Sequence, residues 1–514
     1  MNGFSTDLKR LVIVFLILVA AGEGVADDQP GILTPKPPAT PRINGPSIFG
    51  VRPWAPFLYH IPATGQRPME FSARGLPDWL KLDPHTGEIT GTVEREGTYT
   101  VSLRARNAQG TAKRKFRIVA GGEISLTPAM GWNSWNCWGS QVTAEKVLRS
   151  ARAMVESGLI EHGWSYVNID DGWQGKRGGP FHAIQGNAKF PDMKGLCDEI
   201  HGRGLKVGIY STPWTTSYAG FIGGSSEHEE GDWTPPTAAE KKQGFRKGLP
   251  WAIGKYSFAA DDARQWAAWG MDYLKYDWYP NEVPETEEMA GALRESGRDV
   301  ILSLSNTAPY QNAPGLSKCA NSWRTTGDIV DTWGSVRAKG FSQDKWARFA
   351  KAGHWNDPDM LVVGWVGWGR PHPTRLTPNE QYAHLSMWCL LSAPLLLGCD
   401  LEKLDAFTLG LLSNDEVLAL DQDALGRQAE CVSARGPVYV YAKDLEGGCK
   451  AVGLFNTGAT NIAATVSWAD LHLQGKRMVR DLWRQQDIGR FDGQFTADVP
   501  PHGVALVRLD KRRK

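Results

Sequence analysis

Between about residues 124 and 424 the chain repeats one pattern: a short apolar run ends in polar or glycine residues and is followed by an amphipathic segment. The runs are "WSYVNIDDGW" from Trp164, "GLKVGIYSTP" from Gly204, "MDYLKYDWYP" from Met271, "DVILSLSNTAP" from Asp299 and "HWNDPDMLVVG" from His354. Stretches such as "TAEKVLRSARAMVESGLIEHG" and "DDARQWAAWG" separate them. Parallel strands need a long crossover between them, usually a helix. Repeated over roughly 300 residues, the pattern predicts a parallel sheet closed into a (β/α)8 barrel. An open doubly wound sheet fits less well, because no Gly-rich phosphate loop opens the first unit.

The flanking segments read differently. Residues 1–26 carry Lys9 and Arg10, the apolar run "LVIVFLILVA" and then small residues, the layout of a secretory signal peptide. The run is short for a membrane span, so a secreted or periplasmic protein without stable membrane insertion is expected once it is removed. Residues 27–42 form a Pro/Thr/Gly-rich linker. Residues 43–120 have alternating runs, such as Tyr99, Val101, Leu103 and Ala105, between turn signals at Pro84, Gly87, Gly97 and Gly110. These predict a small β-sandwich, serving as a spacer or a binding module. Residues 425–514 return to short alternating segments and predict a terminal antiparallel β-sandwich.

Composition removes some function classes. A formal charge of +1 with both signs intermixed provides no footprint for nucleic acid. The 22 tryptophans suit stacking against sugar rings, but core packing can absorb them as well. No HExxH, CxxC or Cys/His spacing suggests a metal site, and no cofactor is implied. Seven cysteines leave at least one unpaired within a monomer, and spacing permits a bridge between Cys431 and Cys449 without establishing it. Nothing in the sequence fixes an oligomeric state.

The predicted strand ends carry Asp170 and Asp171, Asp277, Asp328, and Asp357 with Asp359. In such a barrel the C-terminal strand ends face the active site. Several carboxylates on one rim suit a hard metal ion or paired acid/base chemistry, and two carboxylates flanking a glycosidic bond can divide attack from protonation. Lys275 lies two residues before Asp277 on the same strand face, and its charge is expected to keep that carboxylate ionised as a nucleophile must be. Arg324 lies four residues before Asp328 and places a guanidinium where a sugar hydroxyl would bind.

The blocks "LTPAMGWNSWN", "YVNIDDGW", "GLKVGIY", "LKYDW", "NSWRTTGDI", "HWNDPDML", "LSAPLLLGCDL" and "NDEVLALDQDALG" resemble, in this order, those of glycoside hydrolase family 27, the α-galactosidases and α-N-acetylgalactosaminidases. The resemblance covers residues 124–511. It implies a (β/α)8 barrel followed by an antiparallel β-domain, and hydrolysis with retention through a covalent glycosyl-enzyme. Asp277 would be the nucleophile and Asp328 the acid/base. Trp132 would form the sugar platform, Asp170 and Asp171 would bind O6 and O4, and Tyr210 would line the pocket. Lys275 would bind the C3 and C4 hydroxyls, Arg324 would reach O2, and Asp359 with Met360 would complete the wall. Residues 43–120 resemble immunoglobulin-like modules with a "GLPxWLxxDxxTGxIxGTP" signature, here with Val93 at the proline position.

The chain departs from the family pattern in three places. Where relatives carry "CEWP(L/G)", this chain has "SLSNTAP", which puts Ser305 and Ala308 at the positions that read the C2 substituent. Small residues there favour an acetamido group. "IDDGW" has Gly172 where a family cysteine stands. The segment 215–258 is long, with Trp233 and Trp251 either stacking on sugar or packing the loop. The expected activity is an exo-acting retaining α-galactosidase on α-galactoside-containing oligosaccharides or polysaccharides. The alternatives are an α-N-acetylgalactosaminidase, another α-glycosidase, a β-L-arabinopyranosidase, and a catalytically silent carbohydrate-binding protein.

Overall fold

The computed structural model describes residues 31–243 and 251–510. The predicted signal peptide and the first residues of the linker lie outside the described residues. Eight short strands form one parallel sheet: β1 (Met130–Asn133), β2 (Tyr166–Asn168), β3 (Lys206–Ser211), β4 (Tyr273–Asp277), β5 (Ile301–Ser305), β6 (Ser322–Arg324), β7 (Trp355–Asp357) and β8 (Leu395–Leu397). Each strand pairs with the next from β1 to β7, and β8 pairs back onto β1 through Trp132 and Leu397. Closure between β7 and β8 comes four residues past the end of β7. There Leu361 makes a parallel bridge to Leu397, donating to the Leu396 carbonyl at 2.8 Å and accepting from Gly398 N at 3.1 Å. The predicted barrel is therefore observed.

The crossovers are helical, and side chains mark where the helices start. Thr143 caps Ala144–Glu156 by accepting from Lys146 N, and Asp192 caps Met193–His201 by accepting from Gly195 N. Thr377 and Glu380 form a reciprocal capping box at the head of Pro378–Leu391. The strands alternate between two packed layers. Tyr273, Ile301, Met360 and Leu396 fill the barrel interior, whereas Trp132, Leu274, Tyr276, Leu302 and Leu304 pack into the larger cluster beneath the helices. The interior is tight: a Cβ on Gly131 would stand 2.3 Å from the Tyr166 carbonyl oxygen. Most of the tryptophan content is structural, since fourteen of the 22 indoles, among them Trp164, Trp323 and Trp388, are buried.

The C-terminal strands form a six-stranded antiparallel sheet facing the hairpin-like pair Ile462–Ser467 and Gln494–Val499, with Val440, Leu454, Val466 and Phe495 between them. This sandwich covers the helix Pro378–Leu391, which explains why nearly every residue of that helix is buried rather than one stripe. Polar contacts fix the seam. Lys443 Nζ donates to the Cys389 carbonyl at 2.9 Å and Ser392 Oγ at 2.7 Å, and Trp483 Nε1 donates to Ser386 Oγ at 2.9 Å. The Cys431–Cys449 bridge is not formed. The strand Val438–Asp444 runs between the strand of Cys431 and the strand Lys450–Asn456 that Cys449 precedes, with Cys431 opposite Tyr441, and two strand spacings exceed the reach of a disulfide.

The N-terminal module is a β-sandwich of a four-stranded and a three-stranded sheet, in which Val101, Leu103 and Ala105 are buried as their alternation predicts. It docks at the N-terminal ends of the barrel strands. Arg52 donates to Asp299 Oδ1 at 2.6 Å and to the Arg298 carbonyl at 2.6 Å, just before β5, while Arg67 pairs with Glu161 at 2.5 Å ahead of β2. That is the face opposite the acidic strand ends. Among the described residues no helix is long and apolar enough to cross a membrane. Because the module lies at the far end of the barrel, removing it is expected to lower the thermal midpoint while leaving kcat/KM for a small chromogenic glycoside within about tenfold per folded molecule. Scanning calorimetry, with kinetics normalised to folded protein, checks both.

Candidate active site

Strand alternation aims β4 Lys275 and Asp277 into the barrel mouth while Leu274, Tyr276 and Trp278 face the helices. Beside them, at the C-terminal strand ends, is a pocket of about 240 Å³. Of the twelve residues predicted from sequence, ten line it: Asp170, Asp171, Tyr210, Lys275, Asp277, Ser305, Arg324, Asp328, Asp359 and Met360. Trp135, Asn136, Tyr218, Asn306 and Trp368 line it as well. The Tyr210 hydroxyl and the Asn136 amide nitrogen are buried without a hydrogen-bond partner among the described residues, as groups reserved for a ligand would be.

Two cations organise the floor. Lys275 Nζ donates to Asp170 Oδ2 at 2.8 Å, and Arg324 Nη2 reaches Asp328 Oδ1 at 3.0 Å and Asp359 Oδ2 at 3.1 Å. Burial works against the Lys275 charge, but Asp170 and Asp277 together raise it above the ordinary ammonium value. Asp359 Oδ2 also accepts from Ile329 N at 2.7 Å, so β7 fixes the loop that carries Asp328. Asp171 accepts from Gln174 Nε2 at 3.0 Å and from Ala219 N at 2.8 Å, which ties the long 215–258 segment to the pocket. Among the described residues no group of His, Cys, Asp or Glu is arranged to hold a metal ion.

The two candidate catalytic carboxylates have opposite surroundings. Asp277 is buried, and that desolvation pushes its pKa up to about 6 in spite of Lys275. The expectation that Lys275 would dominate is thus corrected: its ammonium is engaged with Asp170, and burial is the larger effect. Asn306 Nδ2 donates to Asp277 Oδ1, from a left-handed backbone (φ 69°) that asparagine tolerates better than most residues. The Asp328 side chain is 77% exposed. Desolvation tends to raise it, but the Arg324 guanidinium outweighs that and holds it below the ordinary carboxylate range. Asp357, behind them, is pushed up to about 7 by burial.

Two sequence-based expectations do not match the geometry. Trp132 is completely buried on the helix side of β1, where its indole N–H donates to the Cys399 carbonyl at 2.7 Å. Strand alternation sends Gly131 and Asn133 inward instead, and the indole that reaches the pocket is Trp135, just beyond the strand. Ala308 packs in the outer cluster, its N–H donating to the Arg324 carbonyl at 2.8 Å, because the turn at Asn306 carries the chain away from the pocket. Asn306 therefore shares with Ser305 the place given to Ala308. In the 215–258 segment Trp233 and Trp251 brace the loop through Thr216 Oγ1 and the Ser217 carbonyl, while Tyr218 is the aromatic lining the pocket. Trp135, lying in a quoted block just past a strand, was findable from sequence; Tyr218, Asn306 and Trp368 depend on loop paths.

Comparison with known proteins agrees with the architecture. Residues 127–240 and 239–423 match the family described as Alpha galactosidase A, 435–509 match the Alpha galactosidase C-terminal beta sandwich domain, and 40–121 match an Ig domain family. Alpha-galactosidase 2 of Arabidopsis thaliana is 36% identical over 405 residues, 77% of this chain and 93% of the relative. A Bacteroides fragilis structure assigned as an alpha-galactosidase/melibiase superposes with a TM-score of 0.80 at 32% identity, covering 92% of this chain and 98% of that one. A β-L-arabinopyranosidase from Geobacillus stearothermophilus superposes with a TM-score of 0.64 at 29% identity, over 75% and 97% of the two chains. The fold and the relatives define a glycoside hydrolase. More particularly, the chain belongs to the α-galactosidase family, glycoside hydrolase family 27.

The Asn306 contact leads to a test. Asn306→Gly keeps the left-handed backbone and removes a donor to the ionised form of Asp277, so the Asp277 pKa is expected to rise by about one unit. The alkaline limb of a kcat/KM–pH profile should move up by that amount, and an unmoved limb would mean that the contact has no electrostatic role.

Proposed function

We propose that the protein is an exo-acting, retaining α-galactosidase that removes terminal α-galactosyl residues from oligosaccharides or polysaccharides. The observation carrying this is the asymmetric carboxylate pair, Asp277 buried on the pocket floor and Asp328 exposed at its mouth. The floor holds the sugar, so Asp277 meets the anomeric carbon. The mouth holds the leaving group and later the water, so Asp328 handles their proton. In the first step a bond forms between an Asp277 oxygen and C1 as the C1–O glycosidic bond breaks, and the leaving oxygen takes the Asp328 proton. In the second step Asp328 takes a proton from water as that water displaces Asp277. Asp170, Asp171, Lys275, Tyr210 and Asn136 supply hydroxyl contacts, and Trp135 with Met360 supplies an apolar face.

Asn306 and Arg324 flank Asp277 and therefore C2, and the asparagine side chain takes up space that an acetamido group would need. This favours a free 2-hydroxyl and ranks N-acetylgalactosaminides below galactosides. A β-L-arabinopyranoside presents the same ring hydroxyls without the exocyclic CH₂OH, and the similarity to an arabinopyranosidase makes it the substrate to compare. The apolar N-terminal run supports export of the enzyme.

The reactive pair carries one proton. With Asp328 held low and Asp277 near 6, that state spans an acidic window, so kcat/KM is expected to be bell-shaped and to fall as pH rises through about 6. A plateau extending to pH 8 would contradict it. Asp277→Gly should lose turnover by about 10⁴-fold or more and give β-galactosyl azide when azide is added; Asp328→Gly with azide should give the α-product. NMR of the first-formed sugar from the unmodified enzyme should show the α-anomer, and a β-anomer would establish inversion instead.

A further inference from the structure

Trp368 lies on the rim of the pocket, and none of the sugar contacts proposed above uses it. It belongs to the segment between β7 and β8, at the turn of a short hairpin in which Trp365–Val366 pairs with His372–Pro373. Its φ is 50°, in the left-handed region that a bulky side chain enters only with strain. The surroundings impose that conformation: Gly367 N and Trp368 N donate to the Asn136 carbonyl at 2.9 and 3.0 Å, and Gly369 N donates to the Cys137 carbonyl at 3.0 Å. Strain held in place at a pocket wall points to a side chain whose position is used.

The two indoles lining the pocket have different supports. Trp135 packs against the barrel-interior cluster that includes Met360, which makes it part of the floor. Trp368 packs against the outer cluster and remains half-exposed, which makes it part of the rim. The rim also carries Asp328, the exposed carboxylate that on the proposed function meets the leaving oxygen. We propose that Trp368 is the platform for the aglycone: its indole face stacks on the apolar face of the pyranose attached through the leaving oxygen, and so selects oligosaccharide substrates over galactosides with a minimal leaving group. The platform rests on the glycosidase function proposed above.

The test compares raffinose, in which galactose is α-linked to another sugar, with α-galactosyl fluoride, which has no ring to stack. Trp368→Ala is expected to lower kcat/KM for raffinose by about tenfold or more and to leave the fluoride within about twofold, with Trp368→Phe recovering most of the loss. Unchanged fluoride turnover also shows that the variant is folded. A parallel fall on both substrates would place Trp368 in the galactose site, and no change on either would make it packing; either result overturns the platform. An unmodified enzyme inactive on both substrates would overturn the galactosidase function itself, and the platform with it.

Discussion

Two cations set against a ring of carboxylates hold the mouth of this barrel together. Asp170, Asp171, Asp277, Asp357 and Asp359 are all buried, and Lys275 and Arg324 are the cations placed among them. A carboxylate taken out of water without compensation protonates or destabilises the fold. Here the compensation is specific: Lys275 meets Asp170, Arg324 meets Asp359 and Asp328, and backbone N–H groups meet Asp171 and Asp359. Asp277 has no cation to itself, which is why burial lifts it further than its neighbours would suggest. Asp357 is lifted as well, but it lies behind the pocket, whereas Asp277 lines it and is open to an electrophile there.

This arrangement was legible in sequence as far as strand periodicity carries. Lys275 and Asp277 stand two residues apart, so they had to share the inward face, and the acidic ends of the other strands had to converge once the barrel closed. The same rule, applied to β1, sends Trp132 outward; its placement at the sugar came from the family resemblance, which takes no account of strand parity. Asn306 was hidden for another reason. Its left-handed turn redirects the chain after β5, and a turn of that kind alters which of the next three residues faces the pocket. Desolvation was the other blind spot, because sequence shows that a lysine is near but not that it is already paired.

The docking of the flanking domains explains where the chain is free to vary. The N-terminal module covers the strand starts, and the C-terminal sandwich covers the helix Pro378–Leu391. The loops after the strands, at the other end of the barrel, are left to shape the pocket. Those loops include the long 215–258 segment with Tyr218 and the hairpin with Trp368, and both return to the pocket through backbone bonds to Asp171, Asn136 and Cys137. A polar floor from strand ends with an aromatic rim from loops would, on the proposed function, separate holding the sugar from choosing what it is attached to.

The free protein keeps its proton on the wrong partner for the proposed chemistry, since Asp277 lies above Asp328 in pKa. Read from pKa alone, the roles would be exchanged. Position argues otherwise, because a leaving group has to depart toward solvent and, of the carboxylates lining the pocket, Asp328 is the exposed one. Binding itself supplies the correction. A sugar whose 2-hydroxyl takes Arg324 and whose aglycone covers the mouth removes from Asp328 both its guanidinium and its water, the two influences that hold it low or leave it solvated. The same sugar brings a developing positive charge at C1 to Asp277, which favours the ionised form there. On the proposed mechanism the proton would then move to the acid as the substrate settles, and the free enzyme would have no need to store a high-energy protonation state in advance.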